Sequence, residues 1–450
     1  MVNMSIPESR EQLLELQWNR LQEQLDWVFQ NSDFYRRKFS AAGVERGDIK
    51  SYDDFQKLPL TTKEELRADQ EEFAPLGSNV CVPRKEIVWL PSTSGSSGRP
   101  LILPRSKGDI ESWTALSERM TRMNGVLPGD AYQLIMAFQW IFTGMILHQG
   151  VLGAGATSIN AGMGNTERQI WTLRNLRPRA VFATPAYFMH LAAELERRGE
   201  SADLDVQVAI SGGEIGANLP AWKKLLKSRI PSITTVCDVG GVTEVGTPIW
   251  SECVHEAGAH VFEDAVFLEL LNVDTQRPVP AGEQGEVVYT DLISKAAPLI
   301  RYQVRDIARF TDEPCACGLP FGRFPEGIIG RSDDMLVINS SNVFPSAIEA
   351  CVRDTAGLSG EFQIVVSRRG ELDALRLRVE RADNSESSNE ELTERLSAAL
   401  AIATAVHPTI EILGYEELPR FVYKSKRVAD ERKQQSTDDL SALALSQQSM

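Results

Sequence analysis

The sequence predicts an α/β protein: a large N-terminal domain of βα units with mixed sheets and a β-rich subdomain, then a small α+β C-terminal domain. Three observations predict it. Between about 85 and 250, short apolar runs alternate with helix-like segments. After about 260 the runs become strand-length and the helical spacing fades. Past about 330 a strand pair and one amphipathic helix form a separate unit. A chain of 450 residues also exceeds one ordinary domain. The expected divisions are 1–330, 331–430 and a polar tail, 431–450.

The elements follow in order. Leu14, Trp18, Leu21, Leu25 and Val28 recur at helical spacing, which predicts helix over 9–38 with that stripe in the core. Leu58-Pro59-Leu60-Thr61-Thr62-Lys63 gives a turn, and Thr62 with Glu65 predicts a capped helix start. The run Leu134 to Leu147 reads as buried core. It is too short to span a bilayer and contains Gln139 and Thr143. Val151–Ala154, Ala180–Ala183 and Val206–Ile210 read as strands, with Asn165–Leu176 and Pro185–Arg198 as helices between them. Val261–Leu271 and Glu286–Asp291 read as strands joined through Pro280-Ala281-Gly282-Glu283. In the last unit Phe362–Val366 and Leu375–Val379 pair around Arg369-Gly370. Leu392, Leu396, Leu400 and Ala403 mark a helix face.

Composition narrows the function. A formal net charge of −15 argues against a general nucleic-acid binder and against docking on anionic membranes. It leaves a local nucleotide site open. No basic stretch followed by an apolar core appears at the N-terminus, and six cysteines in so long a chain do not form a disulfide framework. A cytoplasmic location is the expectation.

The chemistry-bearing segments are small-residue loops. Ser92-Thr93-Ser94-Gly95-Ser96-Ser97-Gly98-Arg99 sits between apolar runs. Its backbone can approach a ligand closely, and its N–H and hydroxyl groups can converge on phosphate oxygens. It lacks the spacing of a Walker A loop, and alone it reads equally well as a surface turn. A second cluster, Asp238-Val239-Gly240-Gly241-Val242-Thr243-Glu244, follows a β-like run and ends in a carboxylate, a setting for nucleotide and Mg²⁺. Read alone, it is a tight turn. Asp306, in Arg301-Tyr302-Gln303-Val304-Arg305-Asp306, can accept both hydroxyls of a ribose or simply pair with an arginine. Gly330-Arg331-Ser332-Asp333-Asp334-Met335 marks the domain boundary. Lys424-Ser425-Lys426-Arg427 is a basic patch near the C-terminus.

In order and spacing, these segments resemble the adenylate-forming superfamily of acyl-CoA synthetases, adenylation domains and luciferases. Within it the chain is most similar to the phenylacetate–CoA ligase branch, through Leu58–Lys63, Phe142-Thr143-Gly144 with His148, and Thr184-Pro185-Ala186-Tyr187. Gly213-Glu214, Arg305-Asp306-Ile307, Arg331–Met335 and Asn342-Val343-Phe344-Pro345-Ser346 extend the match over roughly 10 to 430. The resemblance implies a two-step reaction. A carboxylate attacks the α-phosphate of ATP with Mg²⁺, releasing pyrophosphate, and a thiol then displaces AMP. It implies that Ser92–Gly98 and Arg99 cradle the β- and γ-phosphates. Thr243 contacts phosphate and Glu244 holds magnesium. Gly213 and Glu214 lie against adenine, with Asp238, Gly240 and Gly241 in the same nucleotide site. Asp306 binds ribose, Arg331 makes a second nucleotide contact, and Asp333 is the hinge of a mobile small domain. Lys424 is the catalytic lysine, which adds charge only in the closed state.

Three positions depart from the pattern. Gly240 stands where the family places an adenine-stacking aromatic. Tyr423 replaces the glycine before the lysine, which keeps Lys426 as a rival. Trp140 replaces a small residue near the acyl pocket, where Gln139 adds a polar group. Phe138, Trp140, Phe142 and Tyr187 suit an aromatic acid. The implied acceptor is CoA, with a carrier protein or an amine as the alternative, and a homodimer is the implied assembly. A nucleotide-binding protein without catalysis is the contrasting class, and Glu244, Asp306 and Lys424 speak against it.

Cys315-Ala316-Cys317 is a tight thiolate pair, with Cys253, His255 and His260 upstream. Cys253, His260, Cys315 and Cys317 would complete a tetrahedral structural zinc site, with His255 as the alternate ligand; relatives in the branch look similar here. Cys81, Cys237 and Cys351 read as buried small hydrophobes, and His148 as a core or pocket residue.

Overall fold

The structure is a computed structural model and describes residues 4–93, 100–138, 140, 142–333, 336–338, 341–369, 372–404, 406–418 and 427–431. Among these, an eight-stranded mixed sheet forms the centre of the large domain. Five strands are parallel: Thr157–Ile159, Ala131–Leu134, Ala180–Ala183, Val208–Ser211 and Thr235–Val242. Gly246–Glu252, Ala259–Val261 and Arg323–Phe324 continue the sheet antiparallel. The inner strands are buried on both faces, which is why they read as continuous apolar runs. Alternation still sorts them: Ala180 and Phe182 face one core, Val181 and Ala183 the other. The helices Thr166–Asn175, Pro185–Arg197 and Pro220–Arg229 cover one face, and Lys107–Met123 and Phe142–Gly153 cover the other.

A second sheet is antiparallel, in the order Val266–Leu271, Gly285–Asp291, Tyr302–Ala308, Ile328–Arg331. The small domain has its own core of residues from Leu336 onward. Its four-stranded sheet runs Thr409–Leu413, Leu372–Arg381, Leu358–Arg369, Val428–Asp430. Among the described residues no helix is long and apolar enough to cross a membrane.

Four local expectations change. Residues 9–38 hold two helices, Arg10–Asn31 and Asp33–Ala41, because Ser32 ends the first and caps the second through Tyr35 N–H. Leu14 is 42% exposed, and Leu13 takes its place in the core. Val151–Ala154 is no strand. It ends the helix Phe142–Gly153, whose Phe142, Ile146, Leu147 and Val151 fall on the buried side. A helix apolar all round cannot be told from a buried strand by periodicity. Val261–Leu271 is broken by a turn over 262–265 into two strands of different sheets. The capped start at Thr62 is present, with Glu65 N–H to Thr62 Oγ1 at 3.2 Å and Thr62 N–H to Glu65 Oε2 at 2.8 Å.

Candidate active site

The site forms where the parallel strands end, as crevices in open α/β sheets do. The first phosphate-loop candidate leaves from a closed stem. Thr93 N–H donates to the Leu101 carbonyl at 3.1 Å, and Leu101 N–H donates to Thr93 Oγ1 at 3.1 Å. Ser92 N–H donates to the Trp140 carbonyl at 3.0 Å. Ser92 and Thr93 are buried. Ser94, Gly95, Ser96, Ser97, Gly98 and Arg99 lie outside the described residues.

The second cluster runs off the end of strand 235–242. Arg105, fully buried, donates from Nη2 to the carbonyls of Thr243 (3.3 Å), Glu244 (3.1 Å) and Val245 (3.1 Å). Its guanidinium also lies 5.1 Å from the Phe142 ring centroid. One buried cation therefore sets the turn that presents Thr243 and Glu244. Burial lowers the Arg105 pKa, and Asp291, Asp109 and Glu244 oppose that shift. Glu244 Oε1 pairs with Lys63 Nζ at 2.7 Å. Lys63 arrives there because Leu58–Lys63 docks beside strand 302–308: Thr61 N–H donates to the Arg301 carbonyl at 2.8 Å, and Gln303 N–H to Thr61 at 2.9 Å. Arg301, bidentate on buried Glu269 at 2.9 Å, also donates to the Gln56 carbonyl at 2.6 Å and to that of Leu58.

Asp306 lies inside strand 302–308, opposite Arg331 in the ladder. Arg331 Nη1 donates to Asp306 Oδ1 at 2.9 Å. The same guanidinium clasps Asp333 from Nε and Nη2, at 2.9 and 2.8 Å. Ribose candidate, nucleotide candidate and hinge candidate thus form one chain of charge. Burial raises the Asp306 carboxyl to about 6, against the pull of Arg331. Beneath them, buried Glu286 accepts from Ser332 Oγ and Gln303 Nε2, both at 2.5 Å, with Arg305 Nη1 at 3.6 Å. Arg305 holds a left-handed φ of +70° beside Asp306, a conformation that this surrounding network maintains.

Gly213 turns at φ +86°, which favours glycine. Glu214 Oε2 accepts the Ala186 N–H at 3.3 Å, at the start of a helix whose Thr184 caps Tyr187 N–H. Gly240 and Gly241 are packed too closely for a side chain. Asp238 is buried, and burial beside Glu252 raises its carboxyl well above the usual range. Its N–H donates to Glu252 Oε2 at 2.7 Å, and Lys223 pairs with that carboxylate at 2.5 Å.

Of the acid-pocket candidates, Trp140 is 56% exposed and fixed by its indole N–H to the Leu90 carbonyl at 2.6 Å, at φ +44°. Phe138 is half-buried against the core. Tyr187 is buried, its hydroxyl 3.4 Å from Thr166 Oγ1. Phe142 is fully buried against Trp89, Trp113 and Arg105, so its ring is held within the core. Gln139, Tyr423, Lys424 and Lys426 lie outside the described residues. His148 Nδ1 sits 2.9 Å from Ser158 Oγ and 3.1 Å from Asn160 Nδ2.

Apart from the nucleotide candidates, four ligand atoms of Cys253, His260, Cys315 and Cys317 lie within 4.8 Å of one another. Cys253 and Cys315 sulfurs are 3.8 Å apart, and Cys317 Sγ is 3.3 Å from His260 Nε2. His260 Nδ1 faces the Phe321 carbonyl at 3.1 Å, which turns Nε2 toward the thiols. His255 is not in this group.

A profile of the AMP-binding enzyme family matches residues 38–291, more than half of the chain. The chain belongs to the AMP-binding enzyme family. A profile of the AMP-binding enzyme C-terminal domain matches residues 340–432. The phenylacetate-coenzyme A ligase of Escherichia coli (strain K12) is 33% identical over 94% of this chain and 96% of its own. That of Thermus thermophilus is 32% identical over 82% of each. A solved structure of 2-hydroxyisobutyryl-CoA ligase in the postadenylation state superposes with a TM-score of 0.88, at 26% identity over 100% of this chain and 97% of that one. The same ligase in its thioesterification state gives 0.70, at 27% identity over 96% and 92%. The protein is therefore an AMP-forming acid ligase of the phenylacetate–CoA ligase-like branch.

Sequence reasoning quoted Lys63 without giving it a partner, and it missed Arg105 and Glu286. A lone arginine just past the small-residue loop was the available signal for Arg105. Nothing local marks Glu286, since it acts on residues brought to it by sheet pairing.

Proposed function

We propose that this ligase converts an aromatic carboxylic acid to its adenylate with ATP, releases pyrophosphate, and passes the acyl group to CoA. The observation that carries this is that Lys63 pairs with Glu244 and Arg331 with Asp306, with Glu244 near enough to help raise the Asp306 carboxyl, so groups from distant parts of the chain come together. Relatives that share nearly the full length are phenylacetate-coenzyme A ligases, and this supports both the acid class and the acceptor.

Adenylation brings a carboxylate to an anionic phosphate, so the site must supply positive charge and donors. Ser92–Arg99 would hold the β- and γ-phosphates, and Glu244 would hold magnesium beside Thr243. Mg²⁺ would supply positive charge at the phosphates. Lys63, paired with Glu244, would add its own charge beside them. Gly213 and Glu214 would border adenine. Asp306 would accept the ribose hydroxyls, and Arg331 would add a second contact. Lys424 would bring charge from the small domain in the closed state. Asp333, clasped by Arg331, would link nucleotide occupancy to the domain angle. Phe138, Gln139, Trp140 and Tyr187 would shape the acid pocket. The better fit to the postadenylation state than to the thioesterification state of one ligase supports a domain placement like that of the postadenylation state.

Cys253, His260, Cys315 and Cys317 would hold a structural zinc. Tetrahedral Zn–S bonds of about 2.3 Å put sulfurs about 3.8 Å apart, which is the Cys253–Cys315 separation of 3.8 Å. The described cysteines are all free thiols, in keeping with a cytoplasmic enzyme.

The test is ATP–pyrophosphate exchange with a panel of aryl and aliphatic acids, followed by CoA addition. Exchange with aryl acids and a CoA thioester product are expected. Exchange without thioester would move the acceptor elsewhere, and preference for short aliphatic acids would overturn the acid class.

A further inference from the structure

Gly240 pairs with Trp250 across the antiparallel ladder between strands 235–242 and 246–252, so both project from the same face of the sheet. A Cβ built on Gly240 would lie 2.1 Å from Trp250 Cζ2, 2.5 Å from Cη2 and 2.6 Å from Cε2. The six-membered ring of the indole therefore rests on the Gly240 backbone and fills the volume of any side chain there. Position 240 cannot carry an aromatic residue while Trp250 is present.

The face concerned also carries Asp238, a nucleotide candidate, and there Trp250 borders the apolar core. Asp238, two residues earlier, lies close to Gly327 and so to Asn218, which bonds the Glu326 carbonyl. Gly213 and Glu214 begin the loop that reaches Asn218, and Gly327 leads into the strand ending at Arg331. The strand that carries Gly240 continues directly to Thr243 and Glu244. Trp250 keeps 8% of its surface open in this setting. A purine is flat and apolar on its faces, and an indole is the side chain best suited to cover one.

We propose that Trp250, reaching across from the neighbouring strand, is the aromatic wall of the adenine site, with Gly240 the clearance that lets it lie there. This rests on the nucleotide-site reading above. The pairing makes the two positions reciprocal: one large aromatic and one small residue, in either order.

The experiment is ATP–pyrophosphate exchange with apparent KM measured separately for ATP and for pyrophosphate, in Trp250→Leu, Trp250→Phe and the double variant Trp250→Ala/Gly240→Tyr. Trp250→Leu keeps an apolar filler but loses the aromatic face, and should raise KM for ATP roughly tenfold to hundredfold. KM for pyrophosphate, which has no base, should stay near wild type. Trp250→Phe should lie within about threefold of wild type, and the double variant should recover most of the lost ATP affinity. A Trp250→Leu enzyme with wild-type KM for ATP overturns the inference, as does an equal loss for ATP and pyrophosphate, the mark of a merely structural role. Should Trp250→Leu not fold, the double variant decides: failure to bind ATP while keeping pyrophosphate overturns the proposal. A wild type that shows no exchange with any acid sinks the nucleotide reading itself, an outcome distinct from the others.

Discussion

Asp306→Asn isolates one charge at the centre of the site. Burial raises the Asp306 carboxyl from 3.8 to about 6, and Arg331, 2.9 Å away, only partly offsets this. An ionised carboxylate accepts from both ribose hydroxyls, whereas the protonated form gives up acceptor capacity. Because kcat/KM for ATP reports groups of the free enzyme, it should fall with a limiting slope of one below about pH 6, roughly tenfold by about pH 5. Stability moves the other way. A carboxyl whose folded pKa is raised contributes stability below the unfolded value of 3.8 and loses it as pH rises through about 6. The cost at full ionisation is at most about 3 kcal/mol, less whatever water still screens at this partly open side chain. The Asn variant should therefore be at least as stable as wild type near about pH 8, with that advantage shrinking toward about pH 5. Its kcat/KM should be low and should lack the acid limb. Exchange kinetics and thermal unfolding in one buffer series read both effects. An acid limb that persists unchanged in the Asn variant, or a flat wild-type profile down to about pH 5, would refute the reasoning.

Other outcomes follow from the same contacts. Lys63→Met frees Glu244 from its 2.7 Å partner. Mn²⁺ alone, followed by electron paramagnetic resonance, should then bind about fivefold more tightly, by removal of an ion pair worth about 1 kcal/mol, while KM for ATP rises. Unchanged Mn²⁺ affinity would remove Lys63 from the site. Arg105→Met leaves three carbonyls, two of them buried, without this donor. It should destabilise by about 2–4 kcal/mol in denaturant melts and slow exchange even where the fold survives. A stable, fully active variant would sever Arg105 from the Thr243–Glu244 turn. Cys317→Ser should cut zinc content from about one per chain to a small fraction and lower thermal stability without changing the acid preference. Wild-type enzyme free of zinc after chelator washing and native refolding would dismiss the metal.

The sequence carried the identity of the chemistry because small-residue loops and their trailing carboxylates are local signals. Ser92–Gly98 and Gly240-Gly241 stand out because a backbone that is to approach phosphate would need small residues in succession. The inner strands were legible by their apolar runs, and the helix cap at Thr62 by its partner three residues on. The Cys315-Ala316-Cys317 pair was legible as a half-site. The sequence favoured His260 over His255, and strand pairing, which sets His260 opposite Arg323, brings His260 together with the three cysteines. Where signals overlap, sequence failed: Val151–Ala154 is apolar in every direction, and only packing made it helix.

The sequence by itself determined the family and the order of its small-residue motifs, and it named the candidates proposed for phosphate, ribose and metal. Only the tertiary structure decided which charges face each other. Lys63 meets Glu244, Arg331 joins Asp306 to Asp333, Glu286 accepts from Ser332, and Trp250 occupies the space above Gly240. Each of these pairs is set by sheet register or loop docking between residues distant in the chain or on different strands. A hydrogen bond or ring contact extends only a few ångströms, so partners of this kind leave no trace in local spacing.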